Sequence, residues 1–221
     1  MQRLAVRSIR SALAVVVFLT TTAAVMPTAM AHDADVYGPR EKVAGKTLNQ
    51  WAVEHLKWNA GSASAALNDP AGPACVPGRS GPMVLLPAAL DSVATFECVV
   101  PSRLPVFVWG NGIWCWDEPD TAACATAAFD SLAPITTMTV DGERVERMQS
   151  RIVHTGNFVV DVEPASLLVN LGAIDPGPHP FGSAGFAAIL EPMKHGRHSV
   201  VVHTAFNDGT SIDVTYNLTV N

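Results

Sequence analysis

The residues best suited to chemistry are concentrated in one short segment, residues 109–120. It contains three of the five tryptophans of the chain and three acidic residues. Sugar rings stack on indole faces through their apolar C–H surfaces, and carboxylates accept hydrogen bonds from hydroxyl groups, so this combination is typical of a glycan-binding groove. The candidate ligand-binding residues are therefore Trp109, Trp114, Trp116, Asp117 and Glu118.

The same segment allows two other interpretations. Asp117 and Glu118 could act as the paired carboxylates of glycoside hydrolysis, which lie about 5–10 Å apart. Adjacent side chains on an extended chain point in opposite directions, so this pair is poorly placed to act on one bond, and we assign no catalytic residue. Alternatively, the tryptophans form the edge of a core beside a disulfide, and the acidic side chains face water.

The histidines offer few metal-binding patterns. His198 and His203 are five residues apart on one predicted strand, so they point to opposite faces and cannot share an ion. His55 lies on the apolar face of a predicted helix, where a core histidine is expected. His32 would be the first residue after cleavage at Ala31, and an N-terminal histidine can chelate copper, as in oxidative polysaccharide monooxygenases. We predict no cofactor, with copper at His32 as the alternative.

The first 31 residues have the organisation of a secretory signal peptide. Arg3, Arg7 and Arg10 precede an apolar run over residues 12–19, and the segment ends in Ala29-Met30-Ala31. The run is shorter than the roughly 20 apolar residues that span a bilayer. No paired arginines and no cysteine at the cleavage site are present, which favours general secretory export without a lipid anchor. We expect a secreted or periplasmic protein with no membrane span in the mature chain.

The charge of the mature chain limits its partners. Without the three arginines of the export segment, 11 basic residues face 20 acidic residues, a formal charge of −9. Such an acidic chain is not expected to bind nucleic acid or an anionic membrane surface. The expected partner is a glycan or another component of the cell envelope.

The four cysteines, Cys75, Cys98, Cys115 and Cys124, all follow the export segment. An even number of cysteines in an exported chain predicts disulfides. Of the three possible connectivities we favour Cys75 with Cys98 and Cys115 with Cys124, because pairing neighbours keeps both loops short. A zinc site is the alternative, but the cysteine spacings contain no C-x-x-C.

The elements that must position these residues are mainly β-strands. Thr47 and Gln50 have the form of a capping box that starts a helix ending near Trp58. A second, Ala-rich helix is predicted over residues 120–132. The last two strands alternate apolar and polar residues, with one face buried and one wet. Strands are predicted over residues 83–86, 96–100, 106–109, 135–140, 147–154, 157–162, 167–171, 185–190, 199–206 and 211–220.

These elements predict one mainly β domain. It is an antiparallel β-sandwich, immunoglobulin-like or jelly-roll-like, with one N-terminal helix and one short Ala-rich helix. We assign residues 1–31 to the signal peptide, residues 32–46 to a flexible segment and residues 47–221 to the sandwich.

Short motifs over most of the mature chain resemble a family of uncharacterised exported bacterial proteins. They include Gly45-Lys46-Thr47-x3-Trp51, Cys98-x2-Pro101, and the closing hairpin motif Leu190-x-Pro192-x3-Gly196-x-His198. The chain departs from the family at residues 83–86, which are aliphatic where the family tends to be aromatic. The family has no assigned activity, so the resemblance implies export and a β-rich fold and transfers no catalytic residue.

Together these observations favour an exported, soluble, non-catalytic binding or envelope-associated module, with glycans as the candidate ligands. The alternative is a secreted glycan-active enzyme. That enzyme would be a hydrolase or lyase using the acids of residues 109–120, or a copper-dependent oxidase using His32.

Overall fold

The computed structural model describes residues 35–63, 75, 77–89 and 92–221. The predicted signal peptide and His32 lie outside these residues. Within the described part of the chain, none of the helices has the length and apolar character needed to cross a bilayer.

The helices and strands follow one another along the chain in an order dominated by β-structure. In chain order they are α1 (Leu48–Gly61), β1 (Gly78–Ser80), β2 (Met83–Leu85), β3 (Val93–Val100), β4 (Val106–Trp116), α2 (Thr121–Leu132), β5 (Ile135–Val140), β6 (Glu143–Arg144), a 3-10 helix (Met148–Arg151), β7 (Ile152–His154), β8 (Phe158–Val162), α3 (Leu167–Asn170), β9 (Gly177–Leu190), β10 (Gly196–Ala205) and β11 (Ser211–Val220).

The strands form two sheets that share one core. Sheet A has the strand order β1-β2-β4-β9-β7, and β8 also pairs with β9. Sheet B has the order β3-β11-β10-β5-β6. The predicted mainly β sandwich is confirmed. Its sheets are mixed rather than purely antiparallel, because β2 pairs with β4, and β3 with β11, in the parallel direction.

The core between the sheets is built by alternating side chains. Every second residue of β3 is buried, and the apolar positions of β10 and β11 face the same layer. Tyr216 is fully buried and donates its hydroxyl to the Pro87 carbonyl at 2.7 Å. A second polar link joins the sheets where Asn111 donates to Thr204 at 3.0 Å. Buried polar groups that find partners in this way fix how one sheet sits on the other.

Helix α1 covers the outer face of sheet A. Thr47 and Gln50 form the predicted capping box at its start. Its buried side chains, including Leu48 and Trp51, pack toward β2, β4 and β9. The described part of the segment predicted to be flexible also contacts the domain, since Tyr37 donates its N–H to the Ile189 carbonyl at 3.0 Å. The molecule therefore has three layers over this region: helix, sheet A and sheet B.

Two disulfides attach neighbouring segments to the sheets. Cys75 is bonded to Cys98 of β3, and Cys115 of β4 is bonded to Cys124 of α2. This is the pairing predicted from the sequence. The Ala-rich helix α2 begins as predicted at Asp120, whose side chain accepts from the Ala123 N–H. Two stable disulfides indicate an extracytoplasmic environment.

The sequence prediction differs from the structure in several places, and strand β4, for example, runs to Trp116 rather than ending at residue 109. Residues 167–171 form no strand, because the Ser166 side chain accepts from the Val169 N–H and starts the short helix α3. Residues 147–151 belong to a 3-10 helix region rather than to a strand. Strand β9 begins at Gly177, eight residues before the predicted start. The prediction missed these residues because their prolines and glycines have the composition of a turn.

Candidate functional site

The three candidate tryptophans lie on one face of sheet A because of a β-bulge. The register of β4 on β9 shifts between Trp109 and Gly112, and Asn111 has a φ of 72°. A bulge adds one residue to a strand and so reverses the alternation of the side chains that follow. Trp109, Trp114 and Trp116 therefore all join the clusters beneath α1 and α3.

These indoles are covered to different degrees. Trp109 is only 2% exposed, and its ring stacks on His55 with the centroids 5.9 Å apart. Trp114 and Trp116 are half-buried, and Trp116 stacks on Phe181 at 6.0 Å. Trp109 has no ring face available to a ligand. This arrangement corresponds to the alternative interpretation of the segment, a core edge beside the Cys115–Cys124 disulfide.

The candidate acids Asp117 and Glu118 are both exposed. Asp117 has a φ of 57° and its carboxylate accepts from His179 Nδ1 at 2.9 Å. Glu118 follows on the exposed turn before α2. His179 was missed from the sequence, although the spacing Gly177-x-His179 repeats that of Gly196-x-His198 and could have revealed it.

Beneath α1 lies a buried polar group. His55 is fully buried, as its place on the apolar face predicts, and its Nε2 donates to the Leu86 carbonyl at 2.8 Å. Burial lowers the pKa of His55 to about 4, only partly opposed by that bond, so the ring is neutral near pH 7. The Asn59 side chain one turn later accepts from the Ala88 N–H. His55 therefore anchors the helix to the segment after β2.

A second region whose side chains could bind a ligand is the outer face of sheet B, which we call the open face. It consists of the outward side chains of β3, β11, β10 and β5. Strand pairing places these side chains in rows across the sheet. One row contains Thr95, Thr215, Val201 and Thr139, and the next contains Glu97, Asn217 and Ser199.

A surface cavity of about 480 Å³ lies over the second of these rows. We call it the main cavity. Its walls carry two carboxylates, one guanidinium, one imidazole, one amide and hydroxyl groups. The polar residues are Glu97, Asp141, Arg197, His198, Ser199, Asn217 and Thr219. The site thus offers both hydrogen-bond donors and acceptors in one concave surface.

The pair Asp141–His198 separates the main cavity from a smaller one of about 270 Å³, since both residues line both spaces. His198 Nδ1 lies 2.6 Å from Asp141 Oδ2, and Nε2 lies 2.9 Å from the Lys194 carbonyl. Burial alone would lower the pKa of His198. The hydrogen bonds to Asp141 and the Lys194 carbonyl, together with the Asp141 charge, raise it above its ordinary value.

The histidines near the end of the chain do not converge on a metal. His195 Nε2 contacts Ser102 Oγ at 3.2 Å, His198 contacts Asp141, and His203 contacts Asp213 at 2.7 Å. No cluster of histidine, cysteine and acidic side chains suited to a metal ion occurs among the residues that the structure describes.

No protein-family model matches the sequence, and no curated protein is significantly similar to it. Any function therefore has to be argued from the geometry of the two regions described above.

Proposed function

We propose that the protein is an exported, non-catalytic binding module of the cell envelope, and that its ligand surface is the open face of sheet B. The observation that carries this proposal is the main cavity, whose walls are almost entirely hydrogen-bonding side chains. The tryptophan segment supports the proposal less well, because α1 covers the face on which Trp109 lies.

The chemistry of the main cavity favours a polyhydroxylated ligand such as a glycan. A sugar hydroxyl both donates and accepts, so it pairs equally well with a carboxylate, an amide or a guanidinium. Glu97, Asn217 and Arg197 supply these three groups on neighbouring strands. Val99 at the same end of the open face is 57% exposed and adds apolar surface for the C–H groups of a ring.

Binding is favoured over hydrolysis because the two carboxylates in the main cavity lie on separate strands and each is held by a partner of its own. Glu97 lies on β3 and Asp141 follows β5, with β11 and β10 between them. Three strand spacings of about 4.8 Å place their backbones roughly 14 Å apart. Each acid also has its own partner, Asn217 for Glu97 and His198 for Asp141.

Export is supported by the two disulfides, which are typical of extracytoplasmic proteins, and by the form of the first 31 residues. An acidic mature chain also fits a neutral or cationic envelope component better than an anionic one.

The test is a glycan-binding screen with the disulfide-bonded protein, followed by calorimetry on any glycan retained. We expect Asn217→Ala and Arg197→Gln to abolish binding. Glu118→Gln, in the tryptophan segment, should leave it unchanged. Loss in Glu118→Gln with retention in Asn217→Ala would move the site to residues 109–120. Release of reducing ends would replace binding with catalysis, and no binding across a broad panel would contradict the proposal.

A further inference from the structure

Strands β9 and β10 begin with the same local arrangement, once in each sheet. Each starts with Gly-x-His, as Gly177-Pro178-His179 and Gly196-Arg197-His198. Both glycines have a positive φ, 129° and 140°, which favours glycine at these positions. Each histidine faces an aspartate directly after the neighbouring antiparallel strand, Asp117 after β4 and Asp141 after β5.

Three hydrogen bonds of the two arrangements correspond, although in the second the other Asp141 oxygen accepts from the Ser199 N–H instead of contacting the ring. In both, the aspartate is in the left-handed region, with φ of 57° and 53°. Nδ1 contacts its carboxylate, and Nε2 contacts the carbonyl four residues earlier, at 2.8 Å for His179 and 2.9 Å for His198. The N–H of each aspartate donates to the residue after the histidine. We call each arrangement a clasp.

The His198 clasp requires a doubly protonated ring. Both of its partners, a carboxylate and a carbonyl, are acceptors. A neutral imidazole carries one N–H, whereas an imidazolium carries two. Loss of the proton therefore leaves one nitrogen lone pair facing an acceptor, and one of the two contacts must break.

The chain also contains a histidine–aspartate contact that does not need a doubly protonated ring. His203 and Asp213 are direct cross-strand neighbours on β10 and β11, with Nδ1 2.7 Å from the carboxylate. This geometry gives the ring a single acceptor among the described residues. A neutral ring with its proton on Nδ1 satisfies that contact, so the pair is not a clasp.

We propose that the His198 clasp is a proton-operated latch on residues 191–197, the turn that leads into β10. The protonated ring ties the Lys194 carbonyl in this turn to Asp141 at the end of β5. Residues 191–194 line the smaller cavity and Arg197 lines the main one. Opening of the latch frees the shared wall of both cavities. This device needs no ligand and goes beyond the proposed function.

The charges around His198 favour the closed latch at low pH. Acidic groups outnumber basic ones around the two cavities, which stabilises an imidazolium. The raised pKa of His198 gives the same pH dependence. The latch is fully closed below the ordinary pKa of 6.5 and opens as the pH rises through the raised pKa. Asp141 contacts His198 directly, and the charged groups that line the two cavities beside it are Asp35, Glu97, Asp141, Glu143, Glu191, Lys194 and Arg197.

The latch can be tested by hydrogen exchange of the intact disulfide-bonded protein from about pH 5.5 to 8.5, which brackets the titration of histidine. Protection of residues 191–199, corrected for intrinsic exchange, should fall several-fold as the pH rises, while β11 peptides stay protected. His198→Gln should give the low protection at every pH. His203→Gln should follow the wild type. Equal wild-type protection across the range, or the same loss in His203→Gln, would overturn the latch.

A second measurement keeps the test decisive if His198→Gln does not fold. Nitrogen-15 NMR of the wild-type imidazoles should show N–H signals on both Nδ1 and Nε2 of His198 below pH 6.5. A singly protonated ring under these conditions would contradict the clasp chemistry. Neither experiment uses a glycan, so failure of the latch and failure of the proposed function remain distinguishable.

Discussion

The two outer faces of the sandwich differ in what lies on them. The outer face of sheet A carries large aromatic side chains and is covered by α1, with Trp51 and Phe107 almost completely buried. The open face of sheet B carries threonines, short polar groups and separate valines such as Val201, which is 38% exposed. In the described part of the chain, none of the three α-helices makes extensive contact with β3, β5, β10 or β11. One sheet is therefore built as a middle layer and the other as a surface.

The difference can be traced to the strands themselves. The first half of β4 and most of β9 are buried at every position, which is typical of strands covered on both faces. Strands β3 and β11 alternate buried and exposed positions, which is typical of strands with one wet face. Side chains that fold the protein and side chains free to bind a ligand are thus placed on different faces.

The largest effect on stability is expected when a large side chain is removed from the face of sheet A that α1 covers. Trp109→Ala should lower the free energy of unfolding by about 3–5 kcal/mol, because it removes a buried indole and leaves a cavity. Val201→Thr on the open face keeps the β-branch and should change it by less than about 0.5 kcal/mol. Urea denaturation of both variants measures the difference. Equal effects would mean that the two faces do not differ in packing.

The second effect concerns acid stability and comes from His55. Its pKa is 6.5 when unfolded and about 4 when folded, so the unfolded chain binds more protons between these values. The free energy of unfolding should therefore keep its full value above pH 6.5 and fall by about 3 kcal/mol on acidification to pH 4. Denaturation curves at several pH values test this.

The control for His55 is His55→Phe, which keeps an aromatic ring but cannot titrate. The variant loses the bond to the Leu86 carbonyl and is expected to be less stable at pH 7. Its stability should nevertheless depend less steeply on pH between 6.5 and 4 than that of the wild type. Identical slopes would mean that folding does not lower the pKa of His55.

Much of the fold could be predicted from local patterns, since capping boxes, alternation and the spacing of neighbouring cysteines are properties of short segments. The tryptophan segment could not be placed in this way. A bulge at Asn111 reverses the alternation, and helix α1, distant in sequence, covers Trp109. The row of Glu97, Asn217 and Ser199 was also missed, because strand pairing brings together residues from three separate strands.

A smaller effect is expected from the clasp at the edge of sheet B. Asp141→Asn removes the charge that favours protonated His198, so the pKa of His198 should fall toward its ordinary value. The pair is partly exposed, so the loss of stability at pH 6 should be about 1 kcal/mol or less. NMR titration of His198 gives the pKa. The expected direction is opposite to that of His55, whose proton is disfavoured by folding.

The control is Asp213→Asn, which removes the carboxylate beside His203 and leaves the His198 clasp intact. It should not move the His198 titration. A shift of His198 in Asp213→Asn as large as in Asp141→Asn would show that general charge, rather than the clasp, sets the protonation of the ring.

The smallest effect is expected from Glu97→Gln on the open face. Glu97 is exposed and accepts from Asn217 on the neighbouring strand β11, a contact that glutamine can also make through its carbonyl oxygen. The free energy of unfolding should therefore change by less than about 0.5 kcal/mol. Denaturation of this variant decides what the row is for. A loss of more than about 1 kcal/mol in the free energy of unfolding would mean that the row stabilises the fold. An unchanged stability means that folding does not require this charge, which leaves it available for recognition.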